Sequence, residues 1–149
     1  MYDIKYNWDL ETYSATCTIT HNGLEFVGKA NCHPEDRDLA STLTGEIIAE
    51  ARAMLLLLRH IRDNELKPQL KSLKQLYYSI KHSKKYNPKS YESYMLYRQI
   101  RLLEDELADI KEEIKYIKQE LRDYIDLKEK GHQMIREHRA RKELVENNE

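Results

Sequence analysis

The sequence predicts an α+β fold in one domain, residues 1–149. An N-terminal three-stranded antiparallel β-meander is followed by two long antiparallel α-helices, the first kinked near Pro68 and the second carrying a coiled-coil-like seam. Three patterns predict it. Apolar and polar residues alternate through the first third, the period of a half-buried strand. Four-three spacing of apolar residues takes over after residue 44, which is helical. From Leu96 onward that spacing becomes a strict heptad.

The meander occupies residues 1–33. Tyr2, Ile4, Tyr6 and Trp8 alternate with Asp3, Lys5 and Asn7, and Asp9-Leu10-Glu11-Thr12 makes a plausible turn. Tyr13, Ala15, Cys17 and Ile19 form the second inward row. Asn22-Gly23 is the strongest short hairpin signal, since both residues tolerate the positive φ of a type I′ turn. Leu24, Phe26, Gly28, Ala30 and Cys32 supply the third row. Such a sheet is marginal alone and needs a cover.

Residues 34–43 read as a polar crossing loop, and the cover is a long helix over 44–83 with Thr44 as its N-cap. Ile47, Ala51, Met54, Leu58 and Ile61 share one face, while Leu66, Leu70, Leu73, Tyr77 and Ile80 form a second series one residue out of phase. Pro68 sits at the slip, where it removes a helical hydrogen bond, so a kink or short break is expected near Asn64–Pro68. After a basic bend at 84–89, a second helix runs over 90–142. Its seam is Leu96, Ile100, Leu103, Leu107, Ile110, Ile114, Ile117, Leu121 and Tyr124. Residues 143–149 are expected to fray.

At about 1.5 Å per residue the first helix spans ~60 Å and the second ~75 Å, so an antiparallel pair leaves an overhang. A two-helix hairpin also buries only one stripe per helix, which predicts a homo-oligomer. Net charge is −1. Yet residues 1–46 hold three bases and eight acids, residues 47–103 twelve bases and four acids, and residues 104–149 ten bases and fourteen acids. A short positive zone between acidic thirds argues against a polymeric nucleic-acid binder or a membrane-surface protein. Cys17 and Cys32 fall at inward strand positions as reduced, structural thiols; with no apolar run of spanning length and no signal peptide, a cytoplasmic protein is expected.

The positive zone centres on KHSKKYNPKSYESYMLYRQIR, Lys81 to Arg101, with six bases, one acid and four tyrosines. Its bland reading is a solvated tip between two helices, with Asn87 or Ser90 capping the second. Its sharper reading is a capture site. A helix N-terminus presents free N–H groups to an anion. Tyr94, Tyr97, Arg98 and Arg101 share a flank at three-to-four spacing, with Tyr77 alongside and Lys84, Lys85, Tyr86, Asn87 and Lys89 in the bend. Aromatic faces stack bases while Arg and Lys hold phosphates. Arg52, Arg59 and Arg62 add a basic row nearer the sheet. Competing readings are a coiled-coil interaction protein whose basic tip docks an acidic partner, and a weak single-strand nucleic-acid binder.

No enzyme, cofactor or metal is expected. Cys32-His33-Pro34-Glu35-Asp36 could suggest a thiol–imidazole pair or ligand set, but adjacent strand residues point to opposite faces. Four glycines form no phosphate loop, and His and Cys do not recur at metal-ligand spacing.

The segments Y-x-W-D, F-x-G-x-A-x-C-H-P-E-D, T-G-x-I-I-A-E-x-R-A and K-Y-N-P-K-S-Y-E-x-Y-M-L-Y-R-Q-I-R, in that order over residues 2–125, resemble the phage Thoeris anti-defence family of the type that sequesters cyclic ADP-ribose signals. The resemblance implies a non-enzymatic phage protein in the host cytoplasm. It would capture a cyclic ADP-ribose isomer, or in some members a cyclic oligonucleotide, and so blind a defence effector. It also implies a homo-oligomer with ligand pockets between subunits. By position the pocket residues would be Arg52, Tyr77, Asn87 and either Arg98 or Arg101.

Overall fold

The computed structural model describes residues 2–83, 85, 87 and 89–148. Strands β1 (Asp3–Asp9), β2 (Ser14–His21) and β3 (Leu24–Asn31) form one antiparallel sheet in the order β1-β2-β3. A 3-10 turn over Pro34–Leu39 leads to helix α1 (Thr42–His60). A π-turn over Ile61–Leu66 follows, then helix α2 (Lys67–Lys81) and helix α3 (Tyr91–Asn147). The α+β meander-and-helices fold is therefore as the sequence predicts. The chain divides into two compact units, Met1–Leu56 with Ile117–Glu149, and Leu57–Tyr116. Among the described residues no helix is long and apolar enough to cross a membrane.

In the sheet-bearing unit the registers Ile4–Ile19, Tyr6–Cys17, Cys17–Gly28 and Ile19–Phe26 put the alternating apolar residues on one face. Asn22 (φ 50°) and Gly23 (φ 77°) turn β2 into β3 in the left-handed region that Asn and Gly tolerate. Asp9 Oδ1 accepts the Glu11 N–H at 2.9 Å, which shapes the turn into β2. Ala15, Cys17 and Ile19 are fully buried. Helix α1 covers them: Gly28 lies directly beneath the backbone of Ala49 and Ala53, and Gly45 sits over Trp8 and Ala15. The Tyr6 hydroxyl donates to Glu50 Oε2 at 2.9 Å. Lost hydration and then the Glu50 carboxylate push that hydroxyl's pKa up to about 12.

Three boundaries differ from the sequence reading. The expected loop over 34–43 contains the 3-10 turn. The cap of α1 is Ser41, not Thr44: Ser41 Oγ accepts the Thr44 N–H at 3.3 Å and its carbonyl accepts the Gly45 N–H at 3.0 Å. Thr44 instead meets the Tyr124 hydroxyl at 3.4 Å. Third, α3 continues to Asn147 where fraying from 143 is expected. His132, Arg136 and Arg139 share one face of α3 and meet the acidic 3-10 turn. Arg136 donates to Asp36 and Arg139 to Asp38, while His132 Nδ1 lies 3.4 Å from Asp36 Oδ2.

This clamp is expected to loosen in acid. The Arg139 guanidinium holds the Asp38 carboxyl below its ordinary value. A depressed carboxylate contributes stability above the unfolded-state value of about 3.9, and that contribution is lost as pH falls through the lower folded-state value. At neutral pH, D36N/D38N should mimic the effect and speed amide exchange over residues 132–147 several-fold, with β2 and β3 unchanged.

In the helical unit, Leu66, Leu70, Leu96, Ile100 and Leu107 form the core, with Ile61, Leu73, Tyr77, Ile80, Leu103 and Ile110 packed around it. Lys74 Nζ reaches Glu104 Oε1 at 3.2 Å, and Tyr77 meets Tyr97 with ring centroids 6.4 Å apart. Partners descend in α3 as they ascend in α2, so the two helices are antiparallel. The register slip is absorbed without a break: Ile61 to Leu66 is a five-residue step, which is the repeat of a π-turn. The Lys67 N–H bonds to the Arg62 carbonyl, five residues back. Arg62 forks onto Asp63 at 2.8 and 2.9 Å, and Lys67 Nζ adds a contact at 3.1 Å. Arg62 first, then Lys67, hold the Asp63 carboxyl far below the usual carboxylate range. Pro68 is the second residue of α2, directly after the π-turn.

Candidate functional site

The tip of the helical hairpin is built by local hydrogen bonds. At the end of α2 the His82 N–H returns to the Tyr78 carbonyl at 3.1 Å and the Ser83 N–H to Ile80 at 3.0 Å. Ser83 Oγ then accepts the Lys85 N–H at 3.3 Å. Asn87 makes an Asx turn, its Oδ1 accepting the Lys89 N–H at 3.0 Å and its carbonyl the Ser90 N–H at 3.0 Å. Of the two cap candidates, Ser90 is the one that caps α3. Its Oγ accepts the Ser93 N–H at 3.2 Å and donates to Ser93 Oγ at 2.9 Å, and its carbonyl accepts the Tyr94 N–H at 3.1 Å.

These bonds leave a hollow of about 280 Å³ lined by Ile80, Ser83, Lys85, Asn87, Ser90, Glu92 and Ser93. Its rim offers hydroxyls, a carboxamide and one ammonium beside the positive end of α3. Glu92 is the acid in the lining. The hollow is open to solvent and slightly below the usual range of about 300–1,000 Å³ for a small-molecule site.

The other expected site residues divide into groups. Tyr77 and Tyr97 pack on each other. Tyr94, Arg98 and Arg101, at i, i+4 and i+7, form an exposed stripe on the face of α3 opposite Leu96 and Ile100, with Tyr94 57 % exposed. Among the described residues Arg98 and Arg101 make no ion pair. The stripe therefore does not line the hollow within one chain. Lys89 is exposed in the bend. Lys84 and Tyr86 lie outside the described residues. Arg52 belongs to the sheet-bearing unit, where its Nη1 donates to the Lys29 carbonyl at 2.6 Å.

Two features were missed from the sequence. Lys67, Lys71 and Lys74 line an open groove of about 740 Å³ along α2 with Gln75, Tyr78 and Ser79. Their spacing of four and three residues was the available signal. The second is the Asp36–Asp38 clamp, signalled only by bases at 132, 136 and 139. Cys32 gives no sign of nucleophilic activation: its Sγ donates to the His33 carbonyl at 3.6 Å, and burial followed by the Asp36 charge raises the thiol pKa.

Compared with protein-family models, curated proteins and solved structures, the chain has no match.

Proposed function

We propose that this protein captures a compact, anionic nucleotide-class ligand at the tip of its helical hairpin and holds it without turnover. One observation carries the reading: a polar hollow beside the start of α3, edged by Lys85, Asn87, Ser90 and Ser93, is followed within three turns by the exposed Tyr94–Arg98–Arg101 stripe. The hollow suits a phosphate or ribose group; the stripe suits a base face and a second phosphate. They face different directions in one chain, so a complete pocket takes the stripe from a second copy. Subunit-interface capture of this kind is also what the resemblance to the Thoeris anti-defence family implies. A cyclic ADP-ribose isomer is accordingly the first ligand to try, and blocking a host defence signal the role to assign.

Thermal unfolding with each cyclic ADP-ribose isomer tests this. A ligand at 100 times its dissociation constant adds about 2.7 kcal/mol to folded-state stability. The expected result is a raised midpoint with one isomer and recovery of that isomer chemically unchanged. No rise with any isomer would sink the reading. Binding to oligonucleotides that weakens steeply with salt would replace it with a single-strand binder.

A further inference from the structure

We infer that two copies of the chain pair edge to edge through β1, antiparallel, about a two-fold axis at Ile4. This uses a surface remote in sequence from the hairpin tip and stands without any ligand.

Begin with the backbone groups at the two sheet edges. The Cys32 N–H donates to the Tyr13 carbonyl, so odd-numbered residues of β2 bond towards β3. The even-numbered residues of β2 therefore bond towards β1, through Asp3–Thr20, Lys5–Thr18 and Asn7–Thr16. The N–H and C=O groups of Ile4, Tyr6 and Trp8 are left pointing outward. The same alternation leaves the Lys29 carbonyl outward on β3, and there Arg52 covers it. Arg52 thus occupies one of the outward carbonyls of the β3 edge. The β1 edge is a regular seven-residue ladder with no bulge and no proline. An open edge of that kind is a template for another strand.

The side chains at this margin agree. Ile4 and Tyr6 are on the apolar face of the sheet yet stay 38 % and 45 % exposed. Glu50 reaches over β1 to accept from Tyr6, and Leu43 and Ile47 share that side of α1, both exposed. Apolar surface from strand and helix therefore collects along one edge.

Charge selects the occupant and the register. In a two-fold antiparallel pair, each residue i meets a partner residue j with a constant sum i + j, and equal parity keeps the apolar faces together. Centring on Tyr6 sets Asp3 against the second copy's Asp9 twice. Centring on Lys5 sets the two Lys5 side chains against each other. Centring on Ile4 sets Asp3 opposite the second copy's Lys5 twice, with Tyr2 opposite Tyr6 on the apolar face. Centring on Asn7 would set Lys5 opposite the second copy's Asp9, but the Asp9 carboxylate already accepts the Glu11 and Thr12 N–H groups in its own turn. The Ile4 register pairs opposite charges without drawing on that turn, and it makes Ile4–Ile4 a hydrogen-bonded pair at the axis. A surface complementary to itself fits a second copy of this chain.

Sedimentation of the full chain and cross-linking through one introduced cysteine, read against the background of Cys17 and Cys32 in wild type, test this together. Wild type should sediment as a dimer or a multiple of it. Lys5→Glu, on the solvated face and away from α1, should weaken the dimer tenfold or more, and adding Asp3→Lys should restore it. Under diamide oxidation Ile4→Cys should cross-link copies far more than Lys5→Cys or Tyr6→Cys. A monomeric wild type at tens of micromolar, an unchanged Lys5→Glu dimer, or preferential cross-linking at Lys5→Cys or Tyr6→Cys overturns the inference. Circular dichroism confirms that each variant keeps its sheet. Ligand binding enters none of these readouts. An oligomer indifferent to Lys5→Glu, or one cross-linked at the wrong position, overturns this inference and leaves the proposed capture function to its own test, whereas a monomeric wild type also removes the second copy on which the proposed pocket draws.

Discussion

Gly28→Ala is expected to destabilise the sheet-bearing unit by about 3 kcal/mol or more, the upper end of overpacking costs. The Cβ would overlap the Ala49 carbonyl oxygen and the Ala53 amide nitrogen, and approach the Ala49 carbonyl carbon to 3.1 Å. These are backbone atoms of α1, so no rotamer change can relieve the overlap; the helix must lift from the strand. Lifting it would uncover Cys17 and Ile19, both fully buried. Chemical denaturation with the single tryptophan, Trp8, as reporter measures the loss, because Trp8 packs beside Gly45 under the same helix. Gly23→Ala is a useful contrast. Nothing lies near its Cβ, and the cost there is the φ of 77° alone. A Gly28→Ala midpoint equal to wild type would mean that α1 does not bear on β3.

The contrast between these glycines shows what the sequence could reveal. Asn22-Gly23 announces a turn through local backbone preference, and the positive φ values follow. Gly28 in an inward row only hints at a close approach; which backbone approaches is a long-range fact. The same division holds elsewhere. Strand alternation and the heptad from Leu96 are local periodicities and were legible. The five-residue step from Ile61 to Leu66 was visible as a slip, and Pro68 drew attention to a kink. The chain instead spreads the extra residue over a π-turn held by Arg62, Asp63 and Lys67. Asp36 and Asp38 meet bases about a hundred residues away, which no periodicity encodes. At the tip, the sequence grouped tyrosines and bases by proximity along the chain. It could not tell which helix face each would take, because the helix phase is fixed by Leu96 and Ile100 packing against α2.

That facing gives the second large expected effect. If ligand is held between the hollow of one copy and the stripe of another, Asn87→Ala and Arg101→Ala should each weaken binding by tenfold or more. Loss of a charge-assisted hydrogen bond of about 1.5–3 kcal/mol corresponds to that range. Neither change touches the core: unfolding of free Arg101→Ala should stay within about 0.5 kcal/mol of wild type, and Asn87→Ala, which also loses the Asx bond to the Lys89 N–H, should cost no more than about 1 kcal/mol. Mixing decides the geometry. Each variant alone offers only damaged pockets, but a hetero-assembly of Asn87→Ala with Arg101→Ala contains one pocket with both residues intact and should recover part of the binding. Glu92→Gln supplies the opposite sign. It removes the acid in the hollow's lining, so an anionic ligand should bind several-fold tighter. Calorimetric titration separates the outcomes. Weakening by Arg101→Ala alone, with Asn87→Ala and Glu92→Gln silent, would assign the stripe to an acidic protein surface and leave the hollow as the by-product of the Ser90 cap.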